Sequence, residues 1–116
     1  MRLGRLDRRK HPRLTFEQDV RGALRDSIPV VIRDLSAGGL RLETTSMLAT
    51  GQVHPFRAQL PGLDFSAQVI VTRCEKEGML FECGAALVGV SPEALERLDS
   101  WLADQGVPTR GVAAVN

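Results

Sequence analysis

Residues 28–44 read IPVVIRDLSAGGLRLET, and the pattern inside this stretch decides the fold class. Ile28, Val30, Val31 and Ile32 form a mostly β-branched run, which favours an extended strand. Asp34 and Ser36 follow, then Gly38 and Gly39, a composition suited to a side-chain-capped turn. The two glycines also allow positive φ and a close approach of backbone to a ligand. Beyond the turn, Leu40 and Leu42 alternate with Arg41 and Glu43, the period of a strand with one buried face. Arg41 is therefore expected to face solvent.

The same extended pattern recurs on both sides. Residues 14–20 (LTFEQDV) begin with apolar–polar alternation, and residues 53–60 place Phe56, Ala58 and Leu60 at period two. Residues 65–72 (FSAQVIVT) and 79–90 complete the series. Turn signals punctuate it at Gly22, Gly38-Gly39, Gly51, Pro61-Gly62 and Gly78. About six short strands at such spacing predict a small antiparallel barrel or sandwich. One helix follows. Ser91 reads as its N-cap, Pro92 as its first helical position and Glu93 as a first-turn acid. Leu95, Leu98, Trp101 and Leu102 share one face, and Gly106 ends the segment. This stripe is expected to pack across the barrel or close one end of it, with Trp101 a packing residue.

The chain has 116 residues, 43% hydrophobic and 25% charged, which fits one soluble domain with a modest core. Its net charge of +1 conceals an asymmetry. In residues 1–13 six basic side chains stand against Asp7, a net +5; the remaining nine basic and thirteen acidic residues leave −4. A basic arm on a mildly acidic body suits an anionic ligand met locally. The expected organisation is an arm at 1–13, a barrel with its helix at 14–106 and a tail at 107–116. No apolar run approaches the ~20 residues of a membrane span, and no secretory signal is evident, so a cytoplasmic location is expected. Cys74 and Cys83 flank a glycine turn and read as ordinary thiols lying roughly opposite one another. Their spacing suits no zinc motif. His11 and His54 read as isolated surface or turn histidines.

Two motifs carry chemistry. RRKHPR, at residues 8–13, packs four positive charges into six positions. Pro12 biases His11 toward extended geometry, and the even separation of Arg9 and Arg13 keeps both on one side of an extended backbone. Guanidinium forks pair bidentately with phosphate oxygens and with guanine O6 and N7. In DLSAGG, Asp34 can accept from guanine N1–H and N2–H, and Ser36 can donate or accept. Each motif alone also has a bland reading, a solvated basic run in one case and a capped turn in the other.

In order and together, Arg9-Lys10-His11-Pro12-Arg13 and Asp34-Leu35-Ser36-Ala37-Gly38-Gly39 resemble the PilZ domain family, whose signature is RxxxR followed by [D/N]xSxxG. The resemblance spans residues 8–105. It takes in the hairpin at 28–44, a strand containing Gly84-Ala85-Ala86-Leu87 and the helix after SPEAL. It implies a six-stranded antiparallel PilZ-type β-barrel with a C-terminal α-helix that binds cyclic di-GMP, a bacterial second messenger. Carried over, Arg9 and Arg13 would grip guanine edges and phosphates, Asp34 and Ser36 would contact a guanine, and Gly39 would allow the turn. Arg8 stands where members that take up a stacked pair of ligands carry an extra arginine, which implies up to two molecules per site. Arg73, in VIVTRC, matches an arginine common near the family's pocket and reads equally well as a strand-end surface residue. Leu87 replaces the family's usual aromatic, a change expected in the core and not in the pocket.

The expected mechanism is that of an adaptor. Clustered arginines repel one another until the ligand's two phosphates and two guanines fold the arm over the barrel, changing a surface for a downstream protein. A monomer or weak dimer without cofactors is expected. The alternative is a nucleic-acid-binding barrel using the arm on phosphates, disfavoured by 4% aromatics and charge confined to the arm. No nucleophile triad, metal cluster or Walker-type loop points to an enzyme.

Overall fold

The structure, a computed structural model, describes residues 13–107. Among these residues six strands run β1 (Leu14–Leu24), β2 (Ile28–Leu35), β3 (Gly39–Thr44), β4 (Val53–Leu60), β5 (Leu63–Glu77) and β6 (Leu80–Gly89), followed by one helix, α1 (Pro92–Asp104). The strands close into an antiparallel barrel in the order β1-β2-β3-β6-β5-β4. The seam is β1 against β4, where Gly22, Ala23 and Leu24 pair with Ala58, Arg57 and Phe56. Closure satisfies both backbone edges of every strand where they pair, and the inward row of each strand fills the centre. Leu24, Ile32, Leu42, Phe56, Val69 and Cys83 are among the most deeply buried side chains of that interior.

Gly22 is not the turn its composition suggested. It sits inside β1, where an added Cβ would lie 2.6 Å from the Arg57 carbonyl oxygen across the seam. The turn comes later, at Arg25 and Asp26, both with positive φ (57° and 60°) and closed by a bond from Ser27 N–H to the Leu24 carbonyl. Neither residue is glycine, so composition marks the turn only through Asp26 and Ser27, a weaker signal.

Two bulges aim the outer face. β2 pairs Ile32 with Leu42 and then Asp34 with Arg41, so Arg33 is an extra residue. Without it Asp34 would point inward with Ile32; with it Asp34 joins Arg41 outside. β5 repeats the device. Val71 pairs with Ala85 and Arg73 with Gly84, which leaves Thr72 extra and swings Arg73 outward. Arg41 also pairs with Gly84 across β3 and β6. Asp34, Arg41, Gly84 and Arg73 therefore form one row across four adjacent strands, each step about 4.8 Å.

Helix α1 begins as its sequence predicts. The Ser91 hydroxyl accepts from Ala94 N–H at 3.1 Å, with Pro92 in the first turn. Its buried face is Ala94, Leu98, Trp101 and Leu102, so Ala94 replaces Leu95, which is only half-buried. Trp101 Nε1 donates to the Pro61 carbonyl at 2.7 Å, and its ring lies 6.3 Å from that of Phe16. The helix thus covers the barrel beside the β4–β5 turn, and Trp101 is a packing residue. No described helix is long and apolar enough to cross a membrane.

Cys74 and Cys83 are paired in register on β5 and β6, both as free thiols, with their sulfurs 2.9 Å apart. Burial, and then the bond to Cys74, push the Cys83 thiol up to about 12. Cys83 is therefore a neutral, inert core residue at physiological pH.

His54 overturns the surface reading. It is 2% exposed and occupies the first inward position of β4, ahead of Phe56, Ala58 and Leu60. The apolar alternation starts one step earlier than its apolar residues show. Neither ring nitrogen has a hydrogen-bond partner among the described residues. Burial first, and the Arg25 charge second, lower its pKa from the ordinary 6.5. The unfolded chain then binds the extra proton more readily than the folded one. Stability is complete above pH 6.5 and falls as pH drops toward the lowered folded value, by at most about 1.4 kcal/mol per pH unit. Thermal melts between pH 8 and pH 5 are expected to show this slope, and His54→Leu to flatten it; an equal slope in both proteins would refute the assignment.

Candidate functional site

The turn between β2 and β3 is built by Ser36. Its hydroxyl oxygen accepts from Gly38 N–H and Gly39 N–H, both at 3.2 Å, and its own N–H donates to the Gly39 carbonyl at 2.8 Å. Ser36 is buried and its oxygen is committed to holding the loop. The capped-turn reading of DLSAGG describes this serine in the structure. Gly39 lacks the positive φ that composition suggested, and its reason for being glycine is different. An added Cβ would stand 2.5 Å from the Ala85 carbonyl, so glycine lets β3 approach β6. The loop is further pinned where Leu87 N–H donates to the Gly38 carbonyl at 3.0 Å. Leu87 itself is half-buried against the core.

The turn presents Asp34. Although it lies on the outer face, the residue is only 6% exposed, because arginines cover it from two directions. Arg13 Nη1 donates to Oδ1 at 3.1 Å. Arg41 Nε lies 3.1 Å from Oδ2, and Arg41 Nη1 donates to Glu82 at 2.9 Å. The result is an alternating chain of charge, Arg13–Asp34–Arg41–Glu82, along one side of the barrel. Such burial of a carboxylate is tolerated because both oxygens meet cations.

Past Arg41, the row continues through Gly84 to Arg73. The Arg73 side chain crosses the face of Gly84: a Cβ there would meet Arg73 Cγ and Nε, both at 3.3 Å. Its guanidinium is half exposed and lies 3.7 Å from Glu75. Three guanidinium groups, the carboxylates of Asp34, Glu82 and Glu75, and the Gly84 backbone therefore share one surface.

The structure brings Arg13, Asp34, Gly39 and Arg73 to this surface, whereas Ser36 is buried in the turn behind it. Arg8 and Arg9 lie outside the described residues, as do most of the arm and the tail beyond residue 107. Arg41 is on the outer face as expected, but it is two-thirds covered and tied to two acids instead of extending into solvent. The sequence by itself marks neither it nor Glu82 and Gly84 as site residues. The available signal was the alternation of Arg41 with Leu40 and Leu42, which sets it on the face opposite the core.

An antiparallel barrel whose DxSxxG turn meets the last arginine of RxxxR defines a narrow class of domain. The chain belongs to the PilZ domain family, matching it over residues 7–104. Among solved structures it is similar to the Bacillus subtilis inhibitor of motility (MotI/DgrA), with 16% identity and a TM-score of 0.70, covering 85% of this chain and 51% of that one. It is also similar to YcgR from Escherichia coli in complex with c-di-GMP, again at 16% identity, with a TM-score of 0.72, covering 85% of this chain and 46% of that one. The chain thus spans about half the length of these two proteins. No protein of curated function matches the sequence.

Proposed function

We propose that this protein is a receptor for cyclic di-GMP and acts without catalysis, as an adaptor. The observation that carries the reading is the Arg13–Asp34 contact, 21 residues apart in sequence and 3.1 Å apart in space, which joins the two halves of the signature. Family membership supports the same reading, as does likeness to a structure determined with c-di-GMP.

The chemistry of the row fits the ligand. Asp34 offers acceptors to guanine N1–H and N2–H, which a carboxylate matches as a pair. Arg13, with its side chain 44% exposed, can turn from Oδ1 toward a phosphate or a guanine O6/N7 edge. Arg8 and Arg9 supply further forks from the arm, and Arg73 supplies one from the barrel. Gly39 lets β3 approach β6, and Gly84 lets the Arg73 side chain lie flat across the strand. Binding draws the arm over the barrel, and the altered surface is what a downstream protein reads. Arg8 favours a stacked pair of ligands in one site.

Calorimetric titration with cyclic di-GMP tests this, and the stoichiometry distinguishes one ligand from two. Arg9→Ala and Arg13→Ala are each expected to cost about 1–3 kcal/mol, roughly 5- to 150-fold in affinity. Unchanged affinity in both variants would overturn the assignment. Tight binding of single-stranded RNA with steep salt dependence and no cyclic dinucleotide response would instead favour the phosphate-tracking alternative.

A further inference from the structure

We propose that Arg41 is a positioning residue that fixes the Asp34 carboxylate and thereby sets the site's choice of guanine over adenine. The inference rests on the reading of this surface as a cyclic di-GMP site and adds a residue outside the family signature.

The two arginines on Asp34 are not equivalent. Arg13 enters from the chain terminus and makes one ion pair. Arg41 stands in the middle of β3, paired with Asp34 on one side and Gly84 on the other, and is braced by Glu82 at 2.9 Å. An arginine held between two carboxylates loses most of its rotamer freedom, so it can serve as a fixed reference for one of them. Gly84 is the register partner of Arg41 on β6, and Glu82 lies two residues earlier on the same outer face of that strand.

One detail shows that the pairing is incomplete. Arg41 Nε is buried and lies 3.1 Å from Oδ2, yet it makes no aligned hydrogen bond. Asp34 is simultaneously drawn toward Arg13 through Oδ1. Once Arg13 turns to the ligand, rotation of the carboxylate about its terminal torsion brings Oδ2 into line with the Arg41 donor. A buried donor left without a partner is costly, so this alignment is downhill. The carboxylate plane is then set by Arg41, and its outer edge faces the ligand.

That edge discriminates. Guanine offers two adjacent donors, N1–H and N2–H, which an ionised carboxylate accepts together. Adenine places an acceptor at N1, which meets the carboxylate as acceptor against acceptor. Selectivity depends on holding the carboxylate in plane, because a freely turning acid can present a single oxygen to the N6 donor of adenine. Arg41 supplies the constraint.

The test is titration of the 116-residue chain with cyclic di-GMP and cyclic di-AMP, for wild type, Arg41→Met, Glu82→Gln, Asp34→Ala and the double variant Arg41→Met/Asp34→Ala. Melting temperatures verify that each is folded. Arg41→Met is expected to weaken cyclic di-GMP binding about tenfold and to reduce guanine-over-adenine selectivity by a similar factor, the scale of one charge-assisted hydrogen bond. Glu82→Gln, further from the ligand, is expected to shift both in the same direction by about two- to threefold and carries the test if Arg41→Met does not fold. In the Asp34→Ala background, Arg41→Met is expected to change affinity less than about twofold, since its object is gone. An equal loss in both backgrounds, or unchanged selectivity in Arg41→Met and Glu82→Gln, overturns the proposal while leaving the receptor reading intact. Failure of the wild type to bind cyclic di-GMP overturns the receptor reading and the role of Arg41 with it.

Discussion

Asp34→Ala is expected to weaken cyclic di-GMP binding by about 5- to 150-fold and to destabilise the protein by about 1–3 kcal/mol. Both effects come from one carboxylate. Asp34 is the sole acid between Arg13 and Arg41, and its oxygens meet both cations within 3.1 Å. Removing it leaves Arg41 Nε buried with no anion on that side, although Glu82 still holds Nη1. Arg13 loses less, because its side chain is partly in water. The stability cost should therefore resemble an unsatisfied buried donor and not the full loss of a buried ion pair. Binding loses a bidentate acceptor for the guanine edge. Asp34→Asn separates the two effects: its amide keeps the shape and one acceptor, so it should retain more stability than affinity. Asp64→Ala, at an exposed position near the β4–β5 turn without an ion pair among the described residues, serves as the control. Calorimetry and urea unfolding of the three variants check this. Affinity within threefold of wild type in Asp34→Ala would remove Asp34 from the site.

How much of this was visible in the chain depends on how local its cause is. β4 was legible to the residue, at 53–60, because its period-two alternation is a property of neighbours in sequence. The helix start was legible because capping is decided within four residues, from Ser91 to Ala94. The family resemblance gave reason to expect the two motifs on one surface; of the first, Arg13 lies among the described residues, and it meets Asp34 at 3.1 Å. What stayed hidden is set by pairing between strands. The extra residues Arg33 and Thr72 are bulges only by reference to β3 and β6, and they put Asp34 and Arg73 on the outer face. Gly22 looked like a turn because glycine serves turns and tight seams alike, and only the β4 backbone distinguishes them. His54 looked like a surface residue because a polar side chain at an inward position breaks the pattern that would reveal it. Arg41 was placed on the correct face, but its two acids come from β2 and β6, which no local pattern brings together.

Gly39→Ala is expected to be the most damaging single methyl group in the barrel wall beside the site. The added carbon would sit 2.5 Å from the Ala85 carbonyl and 3.3 Å from the Ala86 Cα, and both are backbone. A flexible side chain could swing aside, but a strand in a closed barrel cannot without straining its other pairings. β3 and β6 are joined in register from Gly39–Ala86 to Thr44–Phe81, so separation at one end pulls on the whole ladder. Overpacking of this kind costs about 1–3 kcal/mol, which lowers the melting temperature of a domain this size by roughly 5–20 °C. The same displacement carries the Ser36 turn with it, since Gly39 both donates to the Ser36 hydroxyl and accepts from the Ser36 N–H. Asp34 would move with that turn, so the folded fraction of Gly39→Ala should also bind cyclic di-GMP more weakly. Gly84→Ala supplies the contrast. Its nearest obstacles are the Thr72 hydroxyl at 3.2 Å and the Arg73 side chain at 3.3 Å, and the arginine can yield. It is expected to cost less than about 1 kcal/mol, while displacing Arg73 from the Gly84 backbone. Thermal melts of the two variants side by side decide the matter. Equal stabilities would mean that the β3–β6 approach is looser than 2.5 Å implies, and that the second glycine of DLSAGG is not required by the barrel.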